Sequence, residues 1–249
     1  MYPKRAKIAS HAYGFFISSP RSGVRPRALA PSADDCHRGG MHSLNIQIHV
    51  ICGLLALSLG LFPLLAPKGR GVHRVFGWLF VVAGTGVLSA ALAGILFWPQ
   101  PGPLVIATLS AGYNFTGGVR AMPRFRAAPG VIDAVLAVAA LAACGWLMLA
   151  MGRGTASWPP VLGYSILGIL ATIAVYDLSR HLWAQTWRRH VREIDHGLKM
   201  TGAYFAMMSA GAGSLLREGQ PWSQILPQTV GTLVMIVFLV LHIRKARRG

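Results

Sequence analysis

Uncharged stretches at 44–67, 75–119, 134–152, 154–176, 200–216 and 219–243 constrain this chain more than any other feature. A helix needs about 20 apolar residues to cross a hydrocarbon core, and each stretch is near that length except the second, which is about twice it. The run Trp98, Pro99, Gln100, Pro101, Gly102, Pro103 divides that longer stretch. Three prolines and a glycine in six residues cannot continue a helix, so they predict a tight exposed turn between two spans. The expected fold is therefore an all-α, polytopic transmembrane helix bundle of about seven spans, at 44–66, 73–97, 103–121, 131–152, 160–181, 197–216 and 224–243.

Composition agrees with that class. Charged residues are 12% of the 249, about half the roughly 25% of a globular domain, too few to cover a water-facing surface. The formal charge of +17 would suggest nucleic acid in a soluble protein. Here the charges sit in short gaps between apolar runs, and no nucleic-acid partner is expected. Cys36, Cys52 and Cys144 are far apart and predict neither a disulfide framework nor a zinc site.

Cytoplasmic loops retain Lys and Arg, so the loop charges set orientation. The first loop has Lys68, Arg70 and Arg74, the third Arg120, Arg124 and Arg126, and the fifth Arg180, Arg188, Arg189, Arg192 and Lys199. Between them the second loop has none, the fourth only Arg153 and the sixth only Arg217, while the tail ends in Arg244, Lys245, Arg247 and Arg248. This alternation predicts a bacterial inner-membrane protein with its C-terminus cytoplasmic and the first span starting outside. Residues 1–40 conflict with it, because they carry seven Lys and Arg and no apolar run long enough for a signal sequence. They are expected to be disordered and outside the natural product, with the membrane domain at 41–249. From Met41 onward there are 17 basic and 5 acidic residues, a formal +12. The rival reading is a genuine basic arm in the cytoplasm, with one span fewer or one re-entrant.

Ionisable groups inside membrane helices usually face the bundle interior and have partners. His49 lies about one and a half turns into the first span, with Gly53, Ala56 and Gly60 on the same face. His73 opens the second span with Gly77 and Gly84 on its face. Such a face admits either a neighbouring helix or the edge of a flat cofactor, and plain packing with a hydrogen-bonded histidine is the simpler account. At the same end of the bundle, Asp177, Arg180 and His181 fall at i, i+3 and i+4, so one carboxylate is expected to reach both cations. Arg180, His181, Arg188 and Arg189 are expected to snorkel to water. Trp183 and Trp187 are expected to mark an interfacial segment on anionic headgroups. Asp195, His196, Lys199 and Met200 begin the sixth span. In the third span Tyr113 and Asn114 can bond across helices, with Gly112, Gly117 and Gly118 permitting close approach. Asp133 at the start of the fourth span suits a helix N-terminus. Phosphate-cradling loops, a Ser-His-Asp order and a His-Glu-x-x-His helix do not occur. The interval from His190 to His196 lacks the several His-rich boxes of a membrane di-iron site.

The opening run HVICGLLALSLGLFPLLAPKGRGVHRVFGW, with His49, Lys68-Gly69 and His73-Arg74-x-x-Gly77, resembles a widespread bacterial family of predicted membrane proteins of unknown function. The resemblance continues through Tyr113, Gly117, Arg120, Asp133, Asp177 and HGLKM at 196–200, over roughly 45–215. The stretch between Asp177 and His196 departs from the pattern, being rich in Trp and Arg. The resemblance implies a multi-span architecture without a known reaction. It singles out His49, His73, Asp177 and His196 over His181 and His190.

Two functions fit these residues. One is an electron carrier or quinone-linked protein holding haem b, with His73 and His196 as axial ligands and Asp177 orienting one imidazole. His49 lies toward the outer side, where only His42 could partner it, so two haems are not expected. The other is a non-enzymatic bundle, either a permease, a proton relay or an assembly factor. No inverted repeat marks a substrate site.

Overall fold

Helix formation in this chain follows from long apolar runs that have no alternative inside lipid, where each backbone N–H and C=O must be bonded within its own segment. The computed structural model describes residues 33–67, 71–98, 102–122, 129–154 and 160–246, with the side chains of 33–38, 102, 103, 190, 245 and 246 outside that description. Seven long helices account for nearly all of these residues, and no strand occurs among them. They are α1 (Ala33–Leu65), α2 (Gly71–Phe97), α3 (Gly102–Arg120), α4 (Val131–Gly152), α5 (Pro160–Ser179), α6 (Arg192–Leu215) and α7 (Trp222–Ala246).

Five of the seven, α1, α2, α4, α5 and α7, are long and apolar enough to cross a membrane. The two that fall short, α3 and α6, hold the expected third and sixth spans. Their position explains their polarity. α3 packs on α2, α4, α5 and α6, and α6 packs on α1, α3 and α7. A helix surrounded by other helices presents little surface to lipid and need not be apolar all round. α7, by contrast, has only 6% of its apolar window buried, so its apolarity has lipid to face.

α1 starts at Ala33, eight residues before Met41, so 33–40 is helical where disorder was expected over 1–40. Residues 1–32 lie outside the described residues, as do most of the Pro-rich turn at 99–101 and Arg124 and Arg126. At 33 residues α1 is about 50 Å long, well beyond a hydrocarbon core of about 30 Å.

Two apolar cores share α3. Its Phe115 and Val119, with Met122 just past its end, join Ala56, Phe80, Ala83, Ala203, Tyr204 and Phe205 between α1, α2 and α6. Its opposite face supplies Ile106, Leu109 and Tyr113 to Cys144, Leu147, Leu167 and Leu170 of α4 and α5. Further along, Ala137, Ala140 and Ala174 bring α4 and α5 close together. Polar side chains tie α1 to its neighbours by reaching helix carbonyls: Asn45 Nδ2 donates to Ala90 O at 3.1 Å, and Tyr204 Oη donates to Leu57 O at 3.1 Å.

The chain between α5 and α6 does not unravel. It turns through a 3₁₀ segment Arg180–Trp183, one α turn Ala184–Thr186 and a π turn Trp187–Val191. This change of helical winding brings Arg180 and Trp187 back against the first turn of α6.

Candidate functional site

Where α3, α5 and α6 converge, at the end of the bundle carrying the basic loops, four charged side chains are buried together. Asp177, Arg180, Asp195 and Lys199 are each no more than 4% exposed. Asp177 is on the last turn of α5 and Arg180 on the 3₁₀ turn that follows. Asp195 and Lys199 stand one turn apart at the start of α6. Lys199 Nζ donates to Asp177 Oδ1 at 2.6 Å and to Asp195 Oδ2 at 3.4 Å. Arg180 reaches Asp195 Oδ2 at 2.7 Å and Asp177 Oδ1 at 3.1 Å. Each carboxylate therefore meets both cations, and the formal charges cancel. That cancellation makes the burial tolerable, since an isolated charge in low dielectric costs several kcal/mol or more.

The remaining acceptor positions are filled from the surrounding helices. Tyr113 Oη on α3 donates to Asp177 Oδ2 at 2.7 Å, and Trp187 Nε1 donates to Asp195 Oδ2 at 3.2 Å. The Trp187 ring lies 4.9 Å from the Arg180 guanidinium, and the Tyr176 ring lies 5.8 Å from Arg180 and 5.9 Å from Lys199, all within cation–π range. Gly117 on α3 makes room for the lysine stem. A Cβ there would stand 3.1 Å from Lys199 Cδ and 3.3 Å from Nζ.

Beside this network Arg120 makes a two-pronged pair with Asp133, at 2.7 and 2.8 Å. Asp133 also accepts the Gly130 N–H at 2.9 Å, so the expected helix-start role is joined by a tie from α3 to α4. A cleft of about 10 Å³, room for about one water, lies between this pair and Arg180 and Trp187. Three of the five acidic residues after Met41 are thus committed to this end, while Glu193 and Glu218 are exposed.

Several expectations need correction here. Arg180 does not snorkel, because two carboxylates hold it inside; Arg188 and Arg189 are exposed as expected. Trp187 is 2% exposed and bonded to Asp195, so it is a wall of the network and not an interfacial anchor. Asp177 reaches Arg180 but not His181, whose Nε2 is buried without a hydrogen-bond partner, because the switch from α to 3₁₀ winding at residue 180 changes the register. Asp177 engages Tyr113, Arg180 and Lys199, where an orienting bond to a histidine was expected.

The three singled-out histidines each donate from Nδ1 to a backbone carbonyl of another helix or helix end. His73 takes Pro63 O at 3.0 Å. The regular donor to that carbonyl would be residue 67, a proline without an N–H. His196 takes Gly118 O at 2.8 Å, whose regular donor, Met122 N–H, turns to Val119 O at 3.1 Å. Both histidines therefore bond carbonyls in the last turns of helices, those of α1 and α3 respectively. His49 takes Val87 O in mid α2 at 3.2 Å. The glycine faces considered for a flat cofactor are filled by protein: Gly53 meets Val87, Gly60 meets Phe80 and Tyr204, and Gly84 meets Phe115, whereas Gly77 meets nothing within 4 Å.

Sequence reasoning missed Lys199 and Tyr113 as partners of Asp177. Their signal was the pairing of Asp195 with Lys199 at i, i+4 and the glycines of α3. Comparison with family models, curated proteins and solved structures gives no match.

Proposed function

We propose that this chain is a seven-span protein of a bacterial inner membrane, C-terminus in the cytoplasm, whose buried network relays protons at the cytoplasmic end, alone or with a permeating solute. The observation that carries this reading is the string of titratable groups Tyr113, Asp177, Lys199 and Asp195, joined by bonds of 2.7, 2.6 and 3.4 Å. Buried ionisable groups in membrane helices are expensive, and proton relays are among the functions that retain them. With charges balanced, a proton added to or taken from the string changes the local charge by one in a low-dielectric setting. A passing proton then has a strong effect on how the helices are held. The resemblance to a bacterial multi-span family adds the architecture but no reaction.

The test is proton flux in liposomes containing the purified protein, with a pH-sensitive dye inside and an imposed potassium diffusion potential. Wild type should acidify the lumen faster than empty vesicles, and Asp177→Asn and Lys199→Met should each return the rate to that of empty vesicles. A wild-type rate equal to that of empty vesicles sinks the reading.

A second reading, haem b held by His73 and His196, is favoured by the fixed Nδ1 donation of both rings, the tautomer in which ligand histidines use Nε2. When bound, haem would supply one-electron chemistry. Against it stand the filled glycine face beside His49, the Phe115 ring against Gly84 of α2, and the cap already formed by each histidine. The absorption spectrum of protein from haem-replete cells tests it. A Soret band lost in His73→Ala and His196→Ala supports haem, and a colourless protein excludes it.

A further inference from the structure

The turn between α5 and α6 divides its basic side chains between the bundle interior and the surface. Arg180 is 3% exposed and Trp187 2%, and both are bonded to Asp195. These bonds fix the turn from within. Arg188 and Arg189 are exposed, and Arg188 is held further by donation from Nη2 to Gln185 Oε1 at 2.9 Å. Arg192, one turn after Arg188, is half-buried, and its enclosed Nε has no hydrogen-bond partner.

The charge of Arg188, Arg189 and Arg192 has no match within the chain. Of the seven acidic side chains, Asp133, Asp177 and Asp195 are committed to Arg120, Arg180 and Lys199. Asp34 and Asp35 begin α1 and Glu218 follows α6, at the opposite end of the bundle. Glu193 stands next to Arg192 and is exposed, so three cations have one anion between them. The residues outside the described ones hold no Asp or Glu that could alter this balance.

Position supplies the missing anion. α5 has 20 residues, about 30 Å, the thickness of a hydrocarbon core, so the turn that follows it stands at the level of phospholipid headgroups. Leu182 on the same turn is 90% exposed, an apolar side chain suited to the boundary between headgroups and acyl chains. Guanidinium groups bind phosphate through paired N–H donors, and a turn already fixed from within loses little freedom in doing so. We propose that this turn is a binding site for anionic phospholipids, in which Arg188 and Arg189 take the lipid phosphate and Arg192 adds to the positive field. The unbalanced charge selects an anionic headgroup over a zwitterionic one. The site rests on the chain lying in a membrane and is independent of whether the network relays protons.

Native mass spectrometry of the full chain tests it, in detergent holding equal amounts of phosphatidylglycerol and phosphatidylcholine with the same acyl chains. The wild type should retain phosphatidylglycerol over phosphatidylcholine, and Arg188→Gln with Arg189→Gln should lower that preference by about fivefold for each arginine removed. Arg247→Gln with Arg248→Gln, which takes the same charge from the tail, should leave the preference unchanged. Equal retention of the two lipids by the wild type overturns the site, as does a preference that survives in the turn variant. An equal loss in the tail variant also overturns it, because net charge alone would then account for the binding. Inorganic phosphate in excess over the lipid should displace no more phosphatidylglycerol than chloride does at the same ionic strength. Specific displacement by phosphate would show a site for a soluble anion and overturn the lipid assignment.

Discussion

Arg180 is the residue whose removal should be felt most, because two carboxylates and an indole depend on it. Its guanidinium is 4% exposed and bonds Asp195 and Asp177 together. Replacing Arg180 by Met leaves two aspartates sharing one lysine, and breaking a buried pair in this way costs about 3–5 kcal/mol. Arg188 is exposed and bonds Gln185 within its own turn, so Arg188→Met should stay within about 0.5 kcal/mol. Thermal unfolding of the two variants in detergent compares them directly, and equal melting temperatures would show that the network does not hold the fold. His196 makes a smaller contrast. Its Nδ1–H bonds a carbonyl in the last turn of α3, so His196→Ala should cost about 1–3 kcal/mol. The Asp177–Arg180 pair was legible in the sequence, because i, i+3 on a helix is a local relation. The Asp177–Lys199 bond spans 22 residues and depends on how closely α6 approaches α3 at Gly117, which no local spacing reveals. Arginines near a helix end usually reach water, so the burial of Arg180 was hidden by a rule that holds for Arg188.

Among the helices, the glycines separate packing from vacancy. Gly84 and Gly77 both lie on the His73 face of α2, and sequence spacing treats them alike. A Cβ on Gly84 would stand 2.5 Å from the ring of Phe115, itself 6% exposed, while one on Gly77 would meet nothing. Gly84→Ala should therefore force α2 from α3 and cost about 1–3 kcal/mol. Gly77→Ala should be neutral or stabilising by up to about 1 kcal/mol, since glycine is the poorer helix former. Thermal unfolding again reads both, and a neutral Gly84→Ala would mean that α2 and α3 are less closely joined than described. Element identity was largely legible. Apolar length and the proline-rich turn predicted seven helices with ends within a few residues, apart from the early start of α1 and of α6. Those two starts were missed because both lie in polar sequence, where apolar runs give no signal and the helix is continued by its own backbone bonds.

Across the whole molecule, the open question is how many helices cross, and it has a decisive location. Seven spans from an outside start place the α3–α4 loop in the cytoplasm and the α4–α5 loop outside. If only the five apolar helices cross, with α3 and α6 lying in the interior without spanning, both of those loops exchange sides. From an outside start the C-terminus falls on the cytoplasmic side under either count, since both are odd, and so the tail cannot discriminate. The charges favour seven: five spans would put Arg124 and Arg126 outside, together with Arg188, Arg189 and Arg192, against the retention of basic loops in the cytoplasm. The structure also gives α3 and α6 lengths of 19 and 24 residues, about 28 and 36 Å, comparable to a hydrocarbon core of about 30 Å. Their polar groups are turned to one another and to α5, so lipid does not have to accommodate them. Reporter fusions after Arg126 should therefore read as internal and after Ser157 as external, with Gly102 and Gly219 external and Gly249 internal under either count. Reversal at Arg126 and Ser157 alone would select five spans. It would move the network away from the cytoplasmic boundary assumed for proton entry, while leaving its buried geometry as described.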